Sequence, residues 1–224
     1  MSERGITMID EIQGPPRWEG PDVLLRQTSF KALAERRRFR EPDGQVVEGE
    51  LSVRFGEVEQ RGIALTQPGR DLYDQMIIEV DQLVAEGTEK NEAKLAVWRK
   101  HLPTDEQGLD DRGLAWFEYE VAEQRPEGEV PTALSELVSG GWLVRTPIVY
   151  EDFLPRSAAG IFASNLDNSG SRDVSLQGSE RDQQWLADAM GRTVHDPMQL
   201  YADQRAASLR EAGQALAITI EENR

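Results

Sequence analysis

The amino-acid sequence predicts an α+β protein, and three observations carry that expectation. Residues 66–85 repeat apolar side chains at helical spacing, with Leu72, Met76, Val80, Leu83 and Val84 forming one stripe. Residues 46–65 and 114–121 instead read as strands, rich in β-forming residues with alternating stretches. Strands fill the first two-thirds of the chain and helices its end, and 38% apolar content over 224 residues is enough for a real core.

Element by element, Gly14-Pro15-Pro16 and Gly20-Pro21 keep the first 20 residues mostly extended. Val23-Leu24-Leu25 is apolar, and Phe30 to Arg38 reads as helix, with Arg36-Arg37-Arg38-Phe39-Arg40 as its solvated end. The turn Pro42-Asp43-Gly44 leads into a strand from Val46 to about Leu65, broken near Arg61-Gly62. Thr66 caps a helix to Ala85, with Pro68 in its first turn. A second helix spans 90–101, with Leu95, Trp98 and Leu102 on one side. Residues 105–111 read as an acidic loop, 114–121 as a strand, 123–130 as a loop and 132–138 as a short helix. Trp142 to Tyr150 is a strand broken by Pro147. Residues 151–179, rich in Gly, Ser, Asn and Asp, form a long loop, and helices follow over 180–190 and from Pro197 to about Ile220.

Composition removes several classes of function. Cysteine is absent, so no disulfide, thiolate metal site or cysteine nucleophile exists. A net charge of −16, from 41 acidic against 25 basic residues, repels phosphate backbones and argues against nucleic acid. No apolar stretch approaches the roughly 20 residues of a membrane-spanning helix, and the start lacks a secretory signal pattern. The expectation is a cytoplasmic protein with neither nucleic-acid nor membrane partners. The two histidines, His101 at a charged helix end and His195 before Asp196-Pro197, read as surface residues.

Chemistry concentrates in the strand. By parity, Leu51, Val53 and Phe55 share a face, and the same parity continues to Glu57 and Glu59. A carboxylate facing a core is costly to ionise without a cation, a metal or several donors. Gly56 leaves room beside it, and Arg54 and Arg61 are candidate ion-pair partners. Spacing alone leaves two readings open: solvated glutamates on a strand leaving the core, or the single carboxylate of a two-histidine, one-carboxylate iron triad.

The stretch Arg54-Phe55-Gly56-Glu57-Val58-Glu59-Gln60-Arg61-Gly62-Ile63-Ala64-Leu65-Thr66 resembles a signature of the 2-oxoadipate dioxygenase/decarboxylase (hydroxyglutarate synthase) family. So do Asp10-Glu11-Ile12-Gln13-Gly14-Pro15-Pro16, Leu24-Leu25-Arg26-Gln27-Thr28-Ser29-Phe30 and Tyr150-Glu151-Asp152-Phe153-Leu154-Pro155, the last continuing into Ser157-Ala158-Ala159-Gly160-Ile161-Phe162. The resemblance implies a vicinal-oxygen-chelate-like fold, a βαβββ half-barrel sheet with added helices, incomplete here at its N-terminus. It implies Fe(2+) as cofactor, with a small 2-oxo diacid and O2 as partners. The implied reaction converts 2-oxoadipate and O2 to 2-hydroxyglutarate and CO2, a step in bacterial lysine breakdown.

The same resemblance, extended to the Phe-x-Glu motif of hydroxyphenylpyruvate dioxygenases, makes Glu57 the metal ligand in preference to Glu59. It sets Ser157, and the backbone of Arg156, against the substrate carboxylate, although the family pattern has a small apolar residue where Arg156 stands. In the family, two histidine ligands and a substrate-holding arginine lie upstream of the segment matching Arg4-Gly5-Ile6. The expectation is therefore a single C-terminal lobe, residues 1–224, of a larger metalloenzyme. Residues 1–66 and 112–166 would hold the sheet and active-site segments, 67–103 a helical insertion and 180–222 the C-terminal helices. Its missing N-terminal part is an expected partner, and the fragment alone would be inactive. The alternatives are a non-catalytic remnant or partner subunit of the same fold, and a related 2-oxo acid dioxygenase.

Overall fold

The computed structural model of the chain describes residues 12–30, 35–51, 55–151 and 183–222. Strand β1 (Leu25–Phe30) pairs antiparallel with β4 (Phe55–Arg61), while β2 (Glu35–Arg40) pairs with β3 (Val46–Leu51). A third antiparallel pair joins β5 (Phe117–Val121) to β6 (Leu143–Pro147). Helices α1 (Gln67–Ala85), α2 (Lys90–His101), α3 (Glu106–Asp111), α4 (Leu134–Ser139), α5 (Gln183–Met190) and α6 (Pro197–Leu216) complete the described elements. The chain is thus a mixed helix–strand protein with small antiparallel sheets.

Four expectations are corrected. Of the segment read as helix from Phe30 to Arg38, residues 35–38 are strand, because the arginines are placed by cross-strand charge pairing: Arg36 stands opposite Glu50 and Arg38 opposite Glu48. The hairpin turns where Gly44 adopts φ +88 and its N–H donates to the Glu41 carbonyl at 2.9 Å, a conformation that favours glycine. The single strand expected over 46–65 is two strands with different partners. The acidic loop 105–111 contains α3, whose first turn is capped by Asp105 accepting from the Gly108 N–H at 2.7 Å. Finally, α6 stops at Leu216 because Ala217 is left-handed (φ 56, ψ 38), after which the chain turns back and Glu221 exchanges backbone bonds with Thr132 and Leu134.

The caps of the long helices are those the sequence offers. Thr66 accepts from the Gly69 N–H at 3.2 Å, and its hydroxyl donates to the Gly113 carbonyl at 2.6 Å. Asp196 accepts from the Met198 N–H at 2.9 Å, with Pro197 opening α6. On α1 the buried positions are Gly69, Tyr73, Met76 and Val80; Val84 is exposed. On α2 they are Ala93, Val97 and Trp98, while Leu95 is only partly covered. Tyr73 and Trp98 meet edge to face with centroids 5.8 Å apart.

One apolar core collects these helices with Phe117 and Tyr119 of β5, Leu134 and Leu137 of α4, Leu143 of β6, and Leu209, Ala212 and Leu216 of α6. Val23, Leu24, Leu25, Ile63 and Leu65 join it, so the ends of β1 and β4 are anchored there. Residues 62–66 run as a spine between two neighbours. On one side Ile63 N–H donates to the Asp22 carbonyl at 2.8 Å and Leu24 N–H to the Ile63 carbonyl at 2.9 Å. On the other, Ala64 N–H donates to the Ile148 carbonyl at 2.9 Å and Tyr150 N–H to the Gly62 carbonyl at 2.8 Å. Among the described residues no helix is long and apolar enough to cross a membrane.

Candidate functional site

Glu57 lies on β4, opposite Ser29 of β1, and Glu59 stands opposite Gln27. Phe55 is opposite Phe30, the next residue of β1 after Ser29, so Gly56 has no counterpart and the ladder carries a bulge there. The strict alternation from Phe55 to Glu57 therefore does not run through: the extra residue resets the register that the sequence parity assumed. A bulge redirects the chain beside it and is frequent next to active sites. The Glu59 carboxylate accepts from Arg61 Nη2 at 3.1 Å, as an ion pair within the strand.

The signature residues around β1 are tied down by Arg26. Its guanidinium donates to the carbonyls of Pro15 at 3.0 Å and Pro16 at 3.3 Å, contacts Asp22, and reaches Gln60 Oε1 at 3.2 Å. Arg26 thereby holds the Gly14-Pro15-Pro16 segment against the β1–β4 ribbon. The buried Gln13 pairs with the partly buried Gln27 through both backbone and side chain, Gln27 Nε2 donating to Gln13 Oε1 at 3.1 Å.

A second cluster forms where β4 ends. Arg61 Nη1 donates to the Tyr150 carbonyl at 3.2 Å and to the Glu151 carboxylate at 3.2 Å. From the far side, the hydroxyl of Tyr201 on α6 accepts from the Glu151 N–H at 2.7 Å and lies 3.1 Å from the Glu151 carbonyl, to which it donates. Tyr201 is buried and stacks on Trp116, with centroids 6.5 Å apart and planes 27° from parallel. The strand carrying Glu57 and the residues leading toward 156–157 are thus joined at one point. Arg156 and Ser157 themselves lie outside the described residues. Sequence reasoning named Arg61 only as an ion-pair candidate and missed Tyr201, for which only its place on an amphipathic helix gives any signal.

The histidines are where the sequence put them. His101 Nε2 lies 2.7 Å from Glu79 Oε2, and Lys100 donates to Glu79 Oε1 at 2.6 Å. Lys100 first, and His101 second, hold the Glu79 carboxyl below the ordinary carboxylate range. His195 is exposed ahead of the α6 cap. An open cleft of about 260 Å³ lies beside Arg61, lined also by Asp22 and Glu106. Among the described residues its one cation, Arg61, is already engaged by Glu59 and Glu151 and its other charges are carboxylates, so these residues do not suit a dicarboxylate.

Behind β5, Asp110 sits in a half-buried charge network. Tyr119 Oη is 2.7 and 2.8 Å from its two carboxylate oxygens, Arg145 donates to it at 3.1 Å, and Arg205 donates to Tyr119 Oη at 2.6 Å and pairs with Glu222 at 3.0 Å. Burial first, then the Asp110 charge, raises the Tyr119 phenol far above its ordinary value, so it stays a neutral donor. This network joins α3, β5, β6 and α6; it serves packing.

An iron site needs two or three nitrogen and oxygen donors converging on one point. Among the described residues no three acidic or histidine side chains do so. A carboxylate at position 57 suits Fe(II) as a hard anionic oxygen donor, yet it is one donor, and the two histidines stand elsewhere. The residues described here therefore do not by themselves complete such a centre.

A carboxylate is one donor of the two-histidine, one-carboxylate iron site, and Glu57 stands on a strand beside a bulge. Comparison with known proteins makes the class specific. Residues 1–165 match the family model described as 2-oxoadipate dioxygenase/decarboxylase. The curated 2-oxoadipate dioxygenase/decarboxylase of Mycobacterium tuberculosis is 47% identical over 201 residues, covering 90% of this chain and 40% of that protein. That of Pseudomonas putida is 39% identical over 225 residues, covering 96% of this chain and 47% of that protein. The crystal structure of hydroxyglutarate synthase from Pseudomonas putida in complex with 2-oxoadipate superposes with a TM-score of 0.71 at 35% identity, covering 97% of this chain and 47% of that one. The chain belongs to the 2-oxoadipate dioxygenase/decarboxylase family, and it spans less than half the length of these relatives.

Proposed function

We propose that this chain is the C-terminal lobe of an Fe(II)-dependent enzyme that converts 2-oxoadipate and O2 to 2-hydroxyglutarate and CO2. The carrying observation is the family match over residues 1–165, which contains Glu57, Arg156 and Ser157. Glu57 is the carboxylate ligand to iron, and two histidines from the N-terminal part of the longer protein complete the set. Bound iron would supply the oxygen chemistry, holding the 2-oxo acid and O2 together. The residues of this chain select and orient the substrate. The Ser157 hydroxyl and the backbone at Arg156 take the distal carboxylate, which favours a six-carbon diacid over a shorter one. Both oxygen atoms of O2 end in the products, so no further oxidant or reductant enters.

The β1–β4 and β5–β6 ribbons, flanking the 62–66 spine, are read as parts of a vicinal-oxygen-chelate-like sheet curved around the metal. The same proposal makes residues 1–224 one lobe, places the enzyme in the cytoplasm, and gives it a step in lysine breakdown. The bulge at Gly56 and the engagement of Glu59 by Arg61 support Glu57 over Glu59 as ligand.

The test is a pair of substitutions in the full-length protein. Glu57→Gln keeps size but removes the anionic oxygen donor, so iron content and 2-oxoadipate turnover should both collapse while the fold survives. Glu59→Gln should stay near the parent, because its carboxylate serves Arg61. Loss of iron in the Glu59 variant alone would move the ligand by one pleat. Iron and activity retained in both would remove the metal from this strand, and a full-length protein with neither iron nor turnover would favour the non-catalytic alternative.

A further inference from the structure

We propose that Gln27 is a positioning residue for the Glu57 carboxylate, and that Gln13 fixes the amide with which it acts. The inference rests on the proposed role of Glu57 as iron ligand. The two glutamines come from separate signature segments and meet where residue 13 extends the β1–β4 ribbon by one more antiparallel bridge. Gln13 N–H donates to the Gln27 carbonyl at 2.8 Å, and Gln27 N–H to the Gln13 carbonyl at 3.0 Å. The side chains continue the pair, with Gln27 Nε2 donating to Gln13 Oε1 at 3.1 Å. Gln13 is 7% exposed and is one of two buried polar residues among those described. Burying an amide is costly, so the chain holds Gln13 there against a penalty. Its seat is built from both neighbours. Gly14 takes φ +93, where a Cβ would collide with the Leu25 carbonyl, and Arg26 grips the carbonyls of Pro15 and Pro16.

Register then sets what Gln27 can reach. Both main-chain groups of Gln27 face Gln13, so its pair with Glu59 of β4 is the closer, non-hydrogen-bonded kind, with both positions on one face. That face continues to Ser29 and Glu57 without interruption, because the bulge lies beyond Ser29. Position 57 is therefore the diagonal neighbour of Gln27, and such positions lie roughly 7–8 Å apart, within reach of long side chains. The residue directly opposite, Glu59, is taken by Arg61. Arg61 is the other diagonal neighbour, and it is bonded to Tyr150 and Glu151 as well. Gln27 Nε2 gives one hydrogen to Gln13 and has a second to give, for which Glu57 is the remaining acceptor on this face. A ligating carboxylate needs such an outer hydrogen bond to fix its orientation. Gln13 holds the plane of the Gln27 amide, so it acts on Glu57 only through Gln27.

The experiment titrates Fe(II) into the full-length protein without substrate, by anaerobic calorimetry, so the readout is metal affinity and not turnover. Gln27→Met keeps the length of the side chain and removes the donor. Its Fe(II) dissociation constant should rise at least about tenfold, at unchanged stoichiometry, since losing an outer partner of a ligand costs roughly 10–100-fold. Gln27→Asn keeps the amide but falls one methylene short, so it should weaken binding in the same way, and it decides the matter should the methionine variant not fold. Gln13→Met should weaken binding in the parent background and add nothing in Gln27→Met, a coupling that a purely structural role would not produce. Thr28→Val changes a buried residue on the opposite face of the same strand and should leave Fe(II) affinity at the parent value. Parent affinity in the Gln27 variants, additive losses in the double variant, or an equal loss in Thr28→Val each overturn the proposal. If Glu57→Gln loses iron while the Gln27 variants bind as the parent does, only the role of Gln27 falls. If Glu57→Gln itself keeps full affinity, the ligand reading beneath the proposal falls instead.

Discussion

Tyr119→Phe isolates the chemistry of the Asp110 network, because it deletes one oxygen and leaves the ring in the core. Tyr119 is 1% exposed, and its hydroxyl sits between the Asp110 carboxylate and Arg205. A hydrogen bond to a charged partner contributes about 1.5–3 kcal/mol, and two are lost here. The loss is partly offset: Arg145 still donates to Asp110 at 3.1 Å, and Arg205 remains 3.7 Å from it. The three charged side chains are 13–18% exposed, so water reaches them in part. A net destabilisation of about 2 kcal/mol follows. For a chain of this size that is a fall in Tm of roughly 4–8 °C. Urea unfolding at pH 7, followed by circular dichroism, should show a lower midpoint at unchanged slope. Asp110→Ala should cost more, about 3–5 kcal/mol, since it leaves Arg145 half-buried without its anion and Arg205 with Glu222 alone. A Tyr119→Phe variant within 0.5 kcal/mol of the parent (about the scatter of neutral surface changes), or one worse than Asp110→Ala, would refute this account of the network.

Burial pushes the Tyr73 phenol up to about 12 from its ordinary 10. The unfolded chain ionises first, so Tyr73's contribution is whole below pH 10 and is lost as pH rises toward 12, reaching roughly 2–3 kcal/mol. Tyr73→Phe should flatten alkaline destabilisation between those limits in urea titrations, and an unchanged pH slope would show the phenol to be accessible. Gly69 lets the start of α1 sit on the backbone of Leu114: a Cβ there would fall 1.9 Å from the Leu114 carbonyl oxygen. Gly69→Ala should therefore destabilise by about 1–3 kcal/mol despite alanine's better helix propensity, and a gain in Tm would reject the close seating.

Helices with strong local signals were legible in the sequence. Thr66, Pro68 and the apolar repeat placed α1 to within a residue, and residues 90–101 emerged as α2. The failures share a cause, which is pairing or folding back between distant segments. Arginine-rich residues 35–40 have helical propensity, yet their charges are matched by Glu48 and Glu50 across a hairpin. Residues 46–65 look continuous because β character does not reveal which partner each half has. Apolar Ile218 and Ile220 extended the helical pattern past Leu216, while the chain actually reverses at Ala217 to pack them against the core. At the site, the expectation of Glu57 rests on family resemblance alone, because Glu57 and Glu59 share one strand parity. Tyr201 was invisible because its role lies in a hydrogen bond across fifty residues of sequence.

These placements explain how the chain holds a firm core while the proposed chemistry depends on more of the protein. Among the described residues, the β1–β4 ribbon is anchored at its Arg61 end. Near Arg61, the spine of Ile63, Ala64 and Leu65 is buried and bonded on both sides. Toward Glu57, two-stranded pairing with β1 is the regular structure among the described residues, and Val58 is 54% exposed. A two-stranded ribbon is marginal in water unless further strands or a helix cover it. The core therefore fixes the Arg61 end of the ribbon.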